Sequence, residues 1–122
     1  CIYAHFKKNN DYTSNILKLT YPDGLDVEVV KLKALISSLE KSKSIANKEH
    51  VTTFIRKSKF YKKYNIANKK NYSNRRWTLD TKKDFLFLKK VIGYFSKNIH
   101  FGWMELIKAE KNNQFLVNLK KR

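Results

Sequence analysis

At 122 residues the chain carries one domain's worth of sequence, enough to bury roughly two thirds of the surface its unfolded form exposes. Its hydrophobic content of 42% is that of a globular protein, and lysines such as Lys89-Lys90 interrupt every long apolar run, which excludes a membrane-spanning segment. The net charge of +17 arises from 27 basic residues of which only four are Arg (Arg56, Arg75, Arg76, Arg122), so it reads as a solvated lysine coat rather than as the Arg forks that recognise nucleic-acid grooves.

Ile2 and Phe6, four apart and followed by Asn9-Asn10, predict the last turns of a helix. Residues 11–14 predict a short strand, and residues 17–20 extend toward Tyr21-Pro22-Asp23-Gly24, whose Pro and Gly positions suit a type I turn. Residues 25–29 alternate strictly, which predicts a strand with Leu25, Val27 and Val29 on one side and the acids Asp26 and Glu28 on the other. Such a pair either lines a site or makes weak surface contacts with nearby lysines. Leu32, Leu35, Ile36 and Leu39 predict a helix over 31–42 with one apolar stripe. After a polar linker over 42–47, Asn47 caps a second expected helix with Glu49 and His50 in its first turn and Val51, Phe54 and Ile55 as its stripe. A lone His in that place is ordinarily a surface or capping residue.

Residues 60–66 predict an aromatic-rich strand and 68–74 a polar loop. Trp77-Thr78-Leu79 reads as a short strand leading straight into a helix with Phe85, Leu88, Val91, Ile92 and Phe95 on one face. Thr81 and Asp84 form a capping box at the start of that helix, leaving the carboxylate of Asp80 uncommitted. With Arg75 and Arg76 just upstream, Asp80 suits a metal ion bound together with phosphates; as a helix N-cap it would only favour the helix dipole. Spacing leaves these two roles open. A break over 98–101 precedes a last helix with the stripe Trp103, Leu106 and Ile107.

Strands alternating with helices predict an α/β class with a mixed sheet. No Walker loop, Gly-x-Gly-x-x-Gly, zinc spacing or Ser/His/Asp order occurs, and three glycines cannot make a phosphate-cradling loop here. The single Cys1 forms no intrachain disulfide and no signal-peptide pattern is visible, so a cytoplasmic setting is expected. A start at Cys1 inside a helical pattern suggests the C-terminal part of something longer.

Three motifs, Tyr21-Pro22-Asp23-Gly24-Leu25-Asp26-Val27-Glu28-Val29, Glu49-His50-Val51-Thr52 and Arg76-Trp77-Thr78-Leu79-Asp80-Thr81 with Asp84-Phe85, occur in this order. Together they resemble the C-terminal half of the cytidylyltransferase family that includes the spore coat polysaccharide biosynthesis protein F group and is related to the CMP-sialic acid and CMP-KDO synthetases. The resemblance runs from the first helix to about Asn118 and departs from the family at Thr53, where relatives often have proline. It implies a single partial domain over 1–122, the C-terminal part of a GT-A-like nucleotide-diphospho-sugar transferase fold whose N-terminal nucleotide-binding half is missing.

It further implies transfer of CMP from CTP to a sugar or sugar acid with release of pyrophosphate, for surface polysaccharide, with Mg2+ as cofactor. On this reading Asp80 matches a metal-binding acid, Asp26 and Glu28 line the acceptor pocket, Glu49 and His50 stand near the acceptor, and Arg76 pairs with a phosphate or a sugar-acid carboxylate. Related synthetases are often dimers, so the resemblance allows a homodimer while leaving the oligomeric state open. A glycosyltransferase acting on a ready-made sugar nucleotide, and a basic nucleic-acid-binding module, are the competing functions. The isolated segment is expected to be inactive and poorly stable, because a sheet lacking its other strands exposes edges and apolar faces.

Overall fold

The computed structural model describes residues 1–41, 52–96 and 98–118. The chain divides into two compact units, one made of Cys1–Thr20 and Asp26–Asn71, the other of Tyr21–Leu25 and Tyr72–Arg122. The turn that opens the first motif, Tyr21–Leu25, thus belongs to the C-terminal unit, after which the chain returns to the other unit.

In the first unit, α1 (Ile2–Lys7) leads into β1 (Tyr12–Ser14), which pairs antiparallel with β2 (Glu28–Val30) and parallel with β3 (Lys63–Asn65). The sheet is therefore mixed, with order β2-β1-β3, and α2 (Leu32–Lys41) and α3 (Thr53–Lys57) accompany it, in keeping with the expected α/β class. β1 is the central strand and is buried along its whole length. Tyr12, Ala34, Ile55 and Tyr61 form the core, packed by Leu17, Val30, Leu35 and Phe54. Burying a side chain such as Ile55 completely contributes about 1.5–3 kcal/mol. Behind β1, His5 Nδ1 lies 3.1 Å from Thr13 Oγ1, and Asn10 Nδ2 donates to the same hydroxyl at 3.3 Å, so these buried polar groups satisfy one another.

Two expectations for this unit are corrected. The strand predicted over 25–29 begins only at Glu28, because Asn15 Oδ1 accepts the Val27 N–H at 2.9 Å in place of a strand partner, and Val27 stands exposed rather than inward. α2 turns its small residues Ala34 and Ser38 inward and leaves Leu32, Ile36 and Leu39 exposed, with only Leu35 of the predicted stripe packed against the core. Small side chains let a helix lie close to its neighbours, and the Ser38 hydroxyl is satisfied locally by donating to Leu35 O at 2.8 Å.

The second unit is built on α4 (Lys82–Tyr94) and α5 (Trp103–Glu110), closed by a short 3-10 turn over Gln114–Leu116. Phe87, Val91, Leu106, Ala109 and Leu116 form its core, with Trp77, Leu88, Phe95 and Phe101 against it. The buried face of α4 is rotated from the predicted one: Phe87 and Val91 point inward while Phe85 and Ile92 are exposed. Trp77-Thr78-Leu79 forms no strand. Instead Arg76 makes an isolated parallel bridge to Asp23, with Asp23 N donating to Arg75 O (3.0 Å) and Trp77 N donating to Asp23 O (2.8 Å).

That bridge depends on Gly24. The turn is closed one residue later than predicted, Leu25 N donating to Pro22 O at 3.2 Å, which places Gly24 at the third turn position with φ of 101°. A positive φ there is what a type II turn requires of glycine. A Cβ on Gly24 would also lie 2.6 Å from the Trp77 carbonyl oxygen. Gly24→Ala is therefore expected to destabilise the chain by at least about 2 kcal/mol, because backbone strain and a clash with main chain add. Denaturant unfolding with an unchanged m-value and a lower midpoint is the expected result; a wild-type midpoint would refute the close approach.

Candidate functional site

Both helices of the second unit start with a carboxylate that returns to the preceding backbone. At α4 Thr81 is the N-cap: its Oγ1 accepts from Asp84 N at 3.2 Å, while Asp84 Oδ2 accepts from Thr81 N at 3.0 Å and from Asp80 N at 3.1 Å. The capping box read from the sequence is present, and the N-cap role for Asp80 is thereby replaced by Thr81.

Asp84 carries a second load. Arg76 donates to it through Nε (3.2 Å to Oδ1) and Nη2 (3.0 Å to Oδ2), a two-pronged pairing that matches guanidinium to carboxylate. The Arg76 fork is the main reason the Asp84 carboxyl is held far below the usual carboxylate range; burial opposes the shift, and the backbone N–H groups of Asp80 and Thr81 add to it. Reciprocally, the Asp84 bond pushes the Arg76 guanidinium above its ordinary value.

Asp80 meets the same guanidinium from the open side, accepting from Nη2 at 2.8 Å. Its side chain is 66% exposed, against 4% for Asp84. A third acid, Asp23, stands 3.7 Å from Nη1. Arg76 is thus ringed by three carboxylates that differ in burial and in the number of bonds holding them. It is fixed from behind as well: its N–H donates to Asn118 O (2.8 Å), and Asn118 Nδ2 donates to its carbonyl (2.7 Å). Next to it, Arg75 Nε donates to the buried Glu110 carboxylate at 2.6 Å.

A cavity of about 880 Å³ opens onto this cluster. Arg76, Asp23 and Asn118 line one part of it, Lys83 and Lys90 bring two further cations, and Leu86, Phe87, Phe115 and Val117 supply apolar wall. An apolar space with a few convergent polar groups is the usual form of a small-molecule site.

No protein-family model matches the chain, and no curated protein does. Among solved structures the chain resembles a cytidylyltransferase from Leptospira borgpetersenii serovar Hardjo-bovis, with a TM-score of 0.87 at 22% sequence identity. The two share a fold. The match covers 99% of this chain and 51% of the other, so this chain spans about half the length of that protein.

Of the residues singled out in the sequence, Arg76 and Asp80 are brought together in the second unit. Asp26 and Glu28 belong to the first, both exposed, Glu28 heading β2 opposite Ser14. Glu49 and His50 lie outside the described residues. Asp80 offers one exposed carboxylate, and among the described residues no three His, Cys, Asp or Glu side chains converge to hold an ion. Magnesium commonly takes one or two carboxylates with phosphates and water, so Asp80 fits as a single protein ligand of such an ion. Sequence reasoning missed Asp23, read only as a turn residue, and Lys83 and Lys90, read only as solvated. Lys83 and Lys90 are seven apart on α4, two helical turns, which was the available signal for a shared face. Asp23 offered none, since its approach to Arg76 is set by the bridge between distant segments.

Proposed function

We propose that the chain is the acceptor-binding and second-metal half of a Mg2+-dependent cytidylyltransferase of GT-A type. Such an enzyme transfers CMP from CTP to a sugar or sugar acid for surface polysaccharide. The observation that carries this reading is the pairing of a cytidylyltransferase-like fold with an exposed carboxylate, Asp80, that accepts a hydrogen bond from Arg76, a residue lining a cavity. In the reaction a sugar oxygen forms a bond to the α-phosphorus of CTP as the α-β phosphoanhydride bond breaks, and pyrophosphate leaves. Little covalent chemistry is asked of the protein; positioning and charge neutralisation do most of it. Mg2+ would supply neutralisation of the phosphate charge, with Asp80 as its ligand on this chain.

Arg76, whose guanidinium is permanently charged, is suited to a phosphate or carboxylate oxygen. Asp26 and Glu28, with Glu49 and His50, are assigned to the acceptor's hydroxyls. Incubating the protein that carries this chain with CTP and a panel of sugars and sugar acids tests the class. Pyrophosphate and a CMP-sugar are expected. Release of a nucleoside phosphate from a sugar nucleotide, with no pyrophosphate from CTP, would replace this reading by a glycosyltransferase.

A further inference from the structure

The three acids around Arg76 are not equivalent. Asp84 is buried, holds both prongs of the guanidinium and caps α4, so parting it from Arg76 would leave a buried charge uncompensated. Asp80 is exposed and holds Arg76 by one contact at Nη2, and Asp23 stands farther off, at 3.7 Å. Asp80 alone can leave without stranding a buried charge. When it does, the Nη2 edge of a guanidinium still anchored to Asp84 is uncovered beside a cavity whose wall already carries Lys83 and Lys90. Lys83 and Lys90, two helical turns or about 10 Å apart along the α4 backbone, line the same cavity as Arg76 and add positive charge for an oxyanion there.

We propose that Arg76 is an oxyanion-binding residue kept closed by Asp80, and that the site opens by exchange, Asp80 turning to a divalent cation as Arg76 turns to a phosphate or carboxylate oxygen. One internal ion pair is traded for two external ones. The cation and the anion must then strengthen each other's binding, and by the same factor. This rests on the proposed role of Asp80 and adds to it a cause for ordered, linked binding of metal and anionic substrate.

The test needs no turnover. Binding of Mn2+ to the protein that carries this chain is followed by its EPR signal in chloride, in sulfate and in acetate at matched ionic strength. In the wild type, sulfate is expected to tighten Mn2+ binding about fivefold or more if the site takes a tetrahedral anion, and acetate to do so if it takes a carboxylate. Arg76→Lys keeps a cation for Asp84 but cannot span to Asp80. It is expected to bind Mn2+ more tightly than wild type in chloride and to lose the anion effect. Lys83→Gln with Lys90→Gln, a surface change that leaves the Arg76 cluster intact, is expected to weaken the anion effect and guards against a folding defect in Arg76→Lys. Absence of Mn2+ binding, Mn2+ binding indifferent to both anions, or an undiminished anion effect in the lysine double variant would each overturn the exchange. Loss of pyrophosphate release in Asp80→Ala alongside anion-indifferent Mn2+ binding would overturn the exchange while leaving the transfer reading in place.

Discussion

Asp84→Ala is expected to lower the melting midpoint of the chain by roughly 10 °C, with Asp84→Asn falling between it and the wild type. The alanine variant removes the acceptor of two Arg76 bonds and of the Asp80 and Thr81 N–H groups together, at a buried position. Asparagine keeps one side-chain oxygen for the cap but loses the charge and the second oxygen, which accepts from Arg76 Nε. The pH dependence has a definite sign. The folded carboxyl is depressed below its ordinary 3.8, so its contribution is fully present above that value and fades as pH falls from there toward the folded value. Between pH 7 and about pH 5 the wild type and Asp84→Asn should therefore differ by a constant amount, and the gap should close only in stronger acid. Melts recorded across that range by circular dichroism provide the check; a gap that closed near neutrality would show that Asp84 is not held ionised by Arg76.

The features that survived the passage from sequence to structure are those with local causes. The capping box at Thr81 and Asp84, the strand at Tyr12–Ser14 and the α5 stripe of Leu106 and Ile107 each follow from neighbours within a turn or two. The misreadings share another origin. In α2 the periodicity of Leu32, Ile36 and Leu39 correctly marks a helix, yet the inward face is decided by close approach, which favours Ala34 and Ser38. In α4 the buried face is set by α5 and the closing turn, which take Phe87 and Val91 in preference to Phe85. Trp77-Thr78-Leu79 has strand composition but meets only a single bridge, made by a turn more than fifty residues upstream. The candidate site shows the same division: Arg76 and Asp80, four apart, were visible as a pair, whereas the bridge to Asp23 and the Asn118 clamp are products of tertiary packing.

Asp80→Ala is expected to reduce pyrophosphate release from CTP at least about a hundredfold in the protein that carries this chain, while the melting midpoint stays within about 2 °C of wild type. Its two effects separate because Asp80 and Asp84 share a guanidinium but not a burden. An exposed ion pair such as Arg76–Asp80 adds little to stability, and the α4 cap does not use the Asp80 side chain at all. On the proposed assignment, by contrast, loss of the Asp80 carboxylate would remove a ligand of the Mg2+ that would neutralise charge moving onto pyrophosphate, where each tenfold in rate is about 1.4 kcal/mol of barrier. Asp80→Asn sharpens the comparison, since its amide oxygen keeps a contact with Arg76 and only the negative charge is lost. It should fall in rate with the alanine variant rather than with wild type. Turnover unchanged in both variants would remove Asp80 from the metal site, and a large drop in melting temperature would mean that its partnership with Arg76 is structural after all.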